Sequence, residues 1–249
     1  MNISEISLKA RSFSKYLQGI KLAEGETIQW YPYPTLENFN HLAMILDAPY
    51  RHILDFSHGK PIMDIGAADG DLAFFLESLG HEVHIMDYAP TNYNQLRGAR
   101  RLREILKSNV NILDVDLDSQ FQMPDIHYDL LFFLGTLYHL QNPFYIMRYL
   151  SKIADYCVLS TRIAQMTTDR QTRFSHVPVA YLVSPYETNY DPTNYWIFSD
   201  AGLRRLLDRT GWDICSYGTV GQKVDSDPSS NDRDERAFCL LHSRNGARY

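Results

Sequence analysis

The segment from Pro61 to Gly70, PIMDIGAADG, joins an apolar run to a glycine-containing turn, and a helix is predicted to begin near Asp71. Gly66 allows the backbone to turn sharply at the carboxyl end of a strand, and Gly70 removes a Cβ where the loop passes close to a ligand. Ligands of open α/β sheets bind at this edge of the sheet. The segment therefore predicts a nucleotide-type site, which we assign to Asp64, Gly66, Ala67 and Gly70.

The glycine positions discriminate between two classes of nucleotide cofactor. A dinucleotide site requires G-x-G-x-x-G because the pyrophosphate lies on the turn and on the helix N-terminus. Here the three positions are Gly66, Ala68 and Asp71, which add a Cβ and a negative charge. S-adenosylmethionine carries no phosphate, and the segment resembles the first motif of class I methyltransferases, acidic-x-Gly-x-Gly-x-Gly, with alanine for the middle glycine. The resemblance implies S-adenosylmethionine as cofactor, and a nicotinamide oxidoreductase is the rival interpretation.

A second acidic residue stands at the spacing that a ribose contact requires. The run EVHIMDY reaches Asp87, 21 positions after Gly66. In sheets of this type an acidic side chain about 20 residues after the glycine turn accepts hydrogen bonds from ribose hydroxyls. Aspartate at such a boundary can alternatively cap the following helix. We expect Asp87 to bind the ribose and Tyr88 to offer a flat apolar face to the adenine.

Two further strand ends supply candidate residues. The third strand ends in LDVD, where methyltransferases place a carboxylate near the adenine amino group, so the resemblance assigns Asp114 and Val115 to the cofactor, with Asp116 as the alternative acid. A solvated turn carboxylate is the other interpretation. The fourth strand, in YDLLFFLGTLYHLQNP, is predicted to bring residues to the same edge of the sheet, facing the transferable methyl group. These are Leu134 and Gly135 for the cofactor, and Tyr138 and His139 for catalysis.

His139 is the candidate general base. A methyl acceptor with a hydroxyl group must lose a proton, and imidazole has a suitable intrinsic pKa. A structural histidine that caps a turn is the alternative. The reaction predicted is an in-line displacement in which the enzyme contributes alignment and exclusion of water, and it requires no metal. His81 and His84 do not indicate zinc, because residues three apart on a strand point to opposite faces.

The elements that position these residues follow from apolar periodicity. A helix is predicted near residues 3 to 20 and a second from about 36 to 55, with a Trp-Tyr-Pro-Tyr-Pro turn between them. Short β-rich runs then alternate with helical stretches, a pattern typical of parallel strands joined by right-handed crossovers. We therefore predict an α/β fold, a three-layer sandwich of the class I methyltransferase type with a mostly parallel seven-stranded sheet.

Three segments are distinguished within this fold. Residues 1–56 are predicted to form an N-terminal helical extension that acts as a lid, with Trp30 and Tyr31 as walls of the substrate pocket. Residues 57–249 are predicted to form the methyltransferase domain. Within it, residues 162–198 are polar and rich in Tyr, Pro, Thr and Asn, which predicts an insertion on the side of the methyl acceptor. Tyr195 and Trp196 in this insertion are the other candidate walls.

Composition limits the function classes. The chain of 249 residues is 45% hydrophobic, enough for one substantial core. Its first twenty residues lack the apolar block of a signal peptide, and the longest apolar stretch is far shorter than the roughly 20 residues that cross a bilayer. Three widely spaced cysteines predict buried thiols in a reducing compartment. We therefore expect a cytoplasmic protein without a membrane segment.

A finer resemblance concerns the carboxyl-terminal half. The runs GTLYHLQNP, NYWIFSDAGLRRLLDRTGW and RAFCLLHSR resemble the tRNA wobble-uridine methyltransferase-like group, over about residues 55 to 245. In the carboxymethyl-transferring relatives a lysine, a tyrosine and an arginine hold the extra carboxylate of the donor. Tyr138 and Arg236 match the tyrosine and the arginine, but TIQWYPYPTLENFNHL contains no lysine. The resemblance implies the donor class, and the missing lysine favours the ordinary donor, with Arg236 left as a substrate-binding candidate.

The methyl acceptor is less well indicated. With 24 basic and 30 acidic residues, the net charge of −6 provides no general attraction for nucleic acid, which favours a small-molecule substrate over tRNA. Transfer to oxygen, nitrogen or carbon is equally compatible with the motifs. A tRNA wobble-uridine (carboxy)methyltransferase and a non-catalytic adenosyl-binding module are the alternatives that stay open, and the sequence does not indicate an oligomeric state.

Overall fold

The chain begins with an amphipathic helix, as its apolar spacing predicts. In the computed structural model, which describes residues 1–119, 125–229 and 231–245, helix α1 spans Ile3–Ala23. The Asn2 side chain accepts from the Glu5 amide, and the Glu5 side chain accepts from the Asn2 amide, so a capping box begins the helix. The apolar face of α1 is buried.

The second predicted helix, residues 36–55, is not continuous. A 3₁₀ turn at Thr35–Glu37 leads into helix α2, Asn38–Ile45, and a separate 3₁₀ segment covers Tyr50–Ser57. Pro49 lies between them, and proline has no amide hydrogen to continue a helical ladder. The apolar periodicity was correct for two short helices, and the prediction of one long helix was wrong because of this proline.

The described residues fall into two compact units, the first ending at Phe132 and the second beginning at Phe133. Beyond α1 and α2, the first unit contains β1 (Ile62–Ile65), α3 (Asp71–Ser78), β2 (Val83–Asp87), α4 (Arg97–Leu106), β3 (Asn111–Asp114) and most of β4 (Tyr128–Leu134). Its strand order is β3-β2-β1-β4, and β1, β2 and β3 pair in parallel. The register places Asp87 opposite Asp114 at the carboxyl ends of β2 and β3.

The second unit begins with the end of β4. It then contains α5 (Pro143–Ile153), β5 (Ala154–Ile163), β6 (Ala180–Leu182), β7 (Trp196–Phe198), α6 (Asp200–Arg209), β8 (Trp212–Gly221) and β9 (Glu235–Ser243). Strand β5 pairs in parallel with β7 and antiparallel with β9. The pairs β6–β7 and β8–β9 are antiparallel. Ser199 caps α6 by accepting from the Gly202 amide, as its position at the helix start predicts.

The predicted fold class, mixed α/β with a mostly parallel sheet, is confirmed. Nine strands occur in the parts of the chain that the structure describes, whereas seven were predicted. The two additional strands, β6 and β7, lie inside the segment 162–198. They were not predicted because the segment is polar overall and each strand has only three residues. The boundary predicted between residues 56 and 57 falls at the end of the Tyr50–Ser57 segment and stays a prediction. Among the described helices, none is long and apolar enough to span a membrane.

Candidate functional site

The glycine turn after β1 has the backbone that its sequence predicts. Gly66 and Gly70 have φ angles of 70° and 83°, in the left-handed region that favours glycine. A Cβ on Gly70 would lie 2.8 Å from Ile85 Cδ1, so the turn packs directly on β2. Ala68 also has a positive φ, 54°. The alanine that replaces the middle glycine of the motif therefore keeps the backbone of that glycine, at a cost of about 1 to 2 kcal/mol.

Asp87 holds this turn in place. Its Oδ2 accepts from the Ala68 amide at 3.1 Å and from the Asn92 side chain at 2.9 Å, and its Oδ1 accepts from the Tyr88 amide at 2.7 Å. Burial raises the pKa of Asp87, and the three donors oppose this effect. A carboxylate accepts about four hydrogen bonds. Asp87 therefore has room for one ribose hydroxyl as it stands, and for two when Asn92 releases its bond.

Asp64 lies on β1 directly before the turn, with a relative exposure of 3%. Its Oδ2 is buried and has no hydrogen-bond partner among the described residues. Burial and the nearby charges of Asp87 and Asp71 raise the pKa of Asp64 to about 8, although the Ala73 amide donates to it. A buried carboxyl oxygen without a hydrogen-bond partner costs free energy, and a cationic ligand would allow Asp64 to ionise and would pair with it.

Asp69 connects the N-terminal segment to the glycine turn, a role that sequence reasoning missed. Its carboxylate, 2% exposed, accepts from Lys21 Nζ at 2.9 Å, from the Tyr31 amide at 2.8 Å and from Asn94 Nδ2 at 2.6 Å. Lys21 Nζ also lies 2.8 Å from Asp71. Burial lowers the pKa of Lys21, but the two carboxylates outweigh burial and raise it. No local pattern signals these bonds, because they join residues 25 to 50 positions apart.

Two of the predicted pocket walls belong to the same network. Lys21 Nζ lies 5.5 Å from the centre of the Trp30 ring. The Trp30 indole N–H is buried and makes no hydrogen bond to any described residue. The Tyr31 ring makes edge contacts with Tyr33 and Tyr93. The N-terminal segment is therefore fixed to the glycine turn in the first unit, and the assignment of Trp30 and Tyr31 to a substrate pocket stays a prediction.

The remaining candidates of the first unit lie at the ends of β2 and β3. The Val115 amide donates to the Asp87 carbonyl at 2.9 Å. Asp114 accepts from the Ala89 amide at 2.9 Å and from Arg100 at 3.2 Å. Both of its oxygens thus have a structural partner, although Asp114 is 41% exposed and stays open to a ligand. Tyr88 is half-buried beside these residues.

In the second unit, Arg236 and Tyr138 lie against the end of β4. Leu134 is the last residue of β4, and the Gly135 amide donates to the Ser160 carbonyl at 2.9 Å. A Cβ on Gly135 would lie 3.6 Å from Arg236 Nη1 and 4.0 Å from the Tyr138 hydroxyl. Arg236 Nε donates to Asp234 at 3.0 Å. Burial opposes the charge of Arg236, but Tyr138 and Asp234 raise its pKa.

His139 and the predicted walls Tyr195 and Trp196 lie in the same unit. The rings of Tyr138 and His139 are 4.3 Å apart, and His139 Nδ1 lies 2.9 Å from the Thr193 hydroxyl. The Tyr195 amide donates to the Tyr138 carbonyl at 2.9 Å, and the Trp196 indole donates to the Gln141 carbonyl at 3.2 Å. Residues 138–141 and 193–196 are therefore in direct contact, which the sequence did not predict.

Comparisons with known proteins support the fold. No family model matches the chain, and no curated protein matches its sequence significantly. Among solved structures, the N-terminal domain of EvdMO1 with SAH bound has a TM-score of 0.59 and 16% identity, and covers 98% of each chain. The same domain in the presence of SAH and D-fucose has a TM-score of 0.56, 16% identity, and covers 78% of this chain and 81% of that one.

Two further structures share this fold, and one is named a methyltransferase whereas the other is named a cyclase. The CcbJ methyltransferase from Streptomyces caelestis has a TM-score of 0.50 and 11% identity, and covers 77% of this chain and 86% of its own. The [4+2]-cyclase SpnF has a TM-score of 0.55 and 14% identity, and covers 74% and 75%. Because the identities are low, these similarities establish the fold, and the reaction must be argued from the site.

Proposed function

We propose that this chain is an S-adenosylmethionine-dependent methyltransferase that acts on a small molecule. The observation that carries the proposal is the buried Asp64 carboxyl, whose Oδ2 has no partner in the described part of the chain and which lies directly before the glycine turn. A buried acceptor at a nucleotide-type turn favours a ligand that brings a positive charge. S-adenosylmethionine combines an adenosine with such a charge, and SAH is present in the EvdMO1 structures.

The charges at the turn disfavour the nicotinamide alternative. Asp69, Asp71 and Asp87 surround the turn, and Lys21 is already paired with the first two. An anionic pyrophosphate would meet these carboxylates where a dinucleotide site provides unpaired amide donors. The first unit therefore suits a cationic cofactor better than NAD.

The residues that would hold the cofactor have distinct tasks. Asp87 would accept from the ribose, Tyr88 and Val115 would flank the adenine, and Asp114 would accept from the adenine amino group. Gly66, Ala67 and Gly70 would shape the turn. Leu134 and Gly135, at the end of β4, are also proposed to bind the cofactor. When bound, the cofactor supplies a methyl group on a positively charged sulfur that a nucleophile can displace.

The ordinary donor is favoured over its carboxylated analogue. In the first unit Lys21 is neutralised by Asp69 and Asp71, and in the second Arg236 is paired with Asp234. An additional carboxylate would gain little from cations that already have anionic partners. In a competition experiment we expect the ordinary donor to bind about 10 to 100 times more tightly. A preference for the carboxylated donor that disappears in Arg236→Ala would contradict this proposal.

A small methyl acceptor is favoured over tRNA. RNA binding requires clustered cations, and two of the arginines on α4 are paired, Arg100 with Asp114 and Arg101 with Glu24. One EvdMO1 structure was obtained in the presence of D-fucose, a small hydroxylated molecule. Transfer of a labelled methyl group to fractions of a cell extract, with small molecules separated from RNA, would test this part. Label in the RNA fraction, with salt-sensitive tRNA binding, would restore the wobble-uridine alternative.

Calorimetry tests the cofactor. The pKa of Asp64 is about 8, so this carboxyl is largely protonated at pH 7 in the free protein. A cationic ligand lowers that pKa, and binding at pH 7 should therefore release a proton, measurable as a dependence of the binding enthalpy on the buffer. We expect S-adenosylmethionine and SAH to bind and NAD not to compete.

The matched variant is Asp64→Asn, which keeps the size of the side chain and removes the titration. It should bind without proton release. The proposal would be wrong if NAD displaced SAH from the wild-type protein. It would also be wrong if the folded wild-type protein bound neither S-adenosylmethionine nor SAH. A methyl-transfer signal with any fraction would separate an active enzyme from a non-catalytic adenosyl-binding module.

A further inference from the structure

His139 is held through one ring nitrogen by a chain of polar groups. Its Nδ1 lies 2.9 Å from the Thr193 hydroxyl and 3.2 Å from the Thr193 carbonyl oxygen. The Thr193 hydroxyl is in turn 2.6 Å from Asp191 Oδ1, which also accepts from the Thr193 amide at 2.9 Å. Asp191 Oδ2 is 4.0 Å from the imidazole nitrogen. No described residue bonds to His139 Nε2.

These contacts determine which nitrogen carries the proton. The Asp191 carboxylate accepts hydrogen bonds only, so the Thr193 hydroxyl donates its one hydrogen to Asp191. Towards His139 that hydroxyl can then only accept, and the Thr193 carbonyl can only accept as well. The neutral imidazole therefore carries its hydrogen on Nδ1, and Nε2 presents a lone pair.

The segment that carries Thr193 and Asp191 is fixed by bonds of its own. Asn194 Nδ2 donates to the Thr188 carbonyl at 3.2 Å and to the Asp191 carbonyl at 3.0 Å. The Tyr195 amide then donates to Tyr138, the residue next to His139. The polar chain therefore has a defined place relative to the imidazole.

The charges around His139 suit a base that works near neutral pH. Burial and the Arg236 guanidinium lower the pKa of His139, while Asp191 and the hydrogen bond to the Thr193 carbonyl raise it, and burial is the largest of these effects. The imidazole is thus neutral near pH 7, as a proton acceptor must be. Tyr138 is the other titratable group against the ring.

We propose that the methyl acceptor is a hydroxyl compound, that His139 Nε2 is its general base, and that Thr193 and Asp191 are positioning residues for this base. The inference rests on the proposed methyl transfer. A neutral amine can be methylated before it loses a proton, whereas a hydroxyl becomes strongly acidic as its oxygen is alkylated and needs a base in the transition state. An imidazole held with Nε2 unprotonated fits the second case.

The step balances with the proposed donor alone. The hydroxyl oxygen forms a bond to the methyl carbon, the carbon–sulfur bond breaks with its electron pair on sulfur, and the hydroxyl proton moves to His139 Nε2. The Nδ1 hydrogen bond to Thr193, backed by Asp191, stabilises the imidazolium that results. The proton then leaves to solvent.

NMR of the ¹⁵N-labelled imidazoles in the full chain tests the arrangement without a methyl acceptor, with the His139 signals assigned through His139→Gln. We expect the Nδ1–H tautomer at neutral pH. Asp191→Asn and Thr193→Val should each lower the pKa of His139 by about half a unit or more, because both remove stabilisation of the imidazolium. Thr193→Ser keeps the hydroxyl and should retain the wild-type pKa. Thr27→Val removes an exposed hydroxyl of the first unit and serves as the unrelated control.

Three outcomes would overturn the inference. The first is an Nε2–H tautomer in the wild type. The second is a His139 pKa that is unchanged in both Asp191→Asn and Thr193→Val. The third is a His139 pKa that is unchanged in Thr193→Val but altered in Thr193→Ser. SAH calorimetry on the same proteins separates this failure from that of the proposed function. If SAH binds and the ring is in the wrong tautomer, only the inference falls, whereas absent SAH binding removes the methyl transfer on which the hydroxyl assignment rests.

Labelled-methyl transfer to a panel of hydroxylated small molecules, each paired with its deoxy analogue, tests the substrate class. We expect transfer only to compounds with the hydroxyl. Thr193→Val should lower kcat about 10-fold or more with little change in KM and should move the acid limb of the pH profile to lower pH, and Thr193→Ser should restore both. Equal transfer to the deoxy analogues would overturn the hydroxyl assignment.

Discussion

The glycine turn of the first unit and the His139 surroundings of the second unit are built in different ways. At the turn, Asp64, Gly66 and Asp69 come from six consecutive positions, and Asp87 follows on the next strand. Around His139, the interacting groups come from residues 135–139, 191–196 and 234–236. The first arrangement is encoded locally, and the second exists only after distant segments have come together.

The largest expected effect tests the local arrangement. Asp87→Ala removes the proposed ribose contact and also three internal hydrogen bonds, from Ala68, Tyr88 and Asn92. Each bond to a charged group contributes about 1.5 to 3 kcal/mol, so we expect SAH affinity to fall by roughly 100-fold or more, with a lower melting temperature. Calorimetry and thermal unfolding measure the two effects separately.

Asp213→Ala is the control, because Asp213 is 57% exposed and lies on β8 of the other unit. It should leave both quantities unchanged. Wild-type SAH affinity in a folded Asp87→Ala protein would show that the turn does not bind the ribose, and the contrast between the two regions would lose its functional meaning.

An intermediate effect tests how tightly the turn is held. A Cβ on Gly98 of α4 would lie 2.2 Å from Asp69 Oδ1 and 2.7 Å from Asn94 Nδ2. Gly98→Ala must therefore displace the Asp69 network, and we expect a loss of about 1 to 3 kcal/mol in the free energy of unfolding, with weaker SAH binding. Chemical denaturation and calorimetry provide the readouts.

Gly19→Ala is the matched control on α1. A Cβ there meets nothing within 4 Å, so this variant should be stabilised by about 0.5 to 1 kcal/mol through the helix preference of alanine. If both alanine variants behaved alike, the Asp69 network would not be the rigid support that its bonds suggest.

The difference between the two regions also explains what the sequence could predict. The turn and the strand that follows were recognisable because Gly66, Gly70 and Asp87 belong to one strand-turn-helix-strand unit, whose spacing is set by its geometry. Lys21 could not be assigned from its position, because its partners Asp69 and Asp71 are about 50 residues away. Only a tertiary contact gives this lysine its role.

The second unit shows the same limit more strongly. His139 was a candidate from its residue type and its place after β4, but nothing near it in sequence indicates Thr193 or Asp191. The segment 162–198 was predicted as an insertion from its polarity, yet β6 and β7 lie within it. Short strands with three residues have too little periodicity to be distinguished from loops.

The smallest expected effect concerns the segment beside His139 and is measured by comparing two tyrosines of the second unit. The Tyr195 hydroxyl accepts one long bond, 3.4 Å, from the Gln141 side chain near the surface. The Tyr217 hydroxyl donates to the Asp200 carboxylate, and Arg204 lies 3.7 Å above the Tyr217 ring. We expect Tyr195→Phe to change the free energy of unfolding by less than about 0.5 kcal/mol, and Tyr217→Phe to cost about 1.5 to 3 kcal/mol because it loses a bond to a charged group. Denaturant unfolding compares the two, and equal losses would show that the segment beside His139 is as firmly built as the rest of its unit.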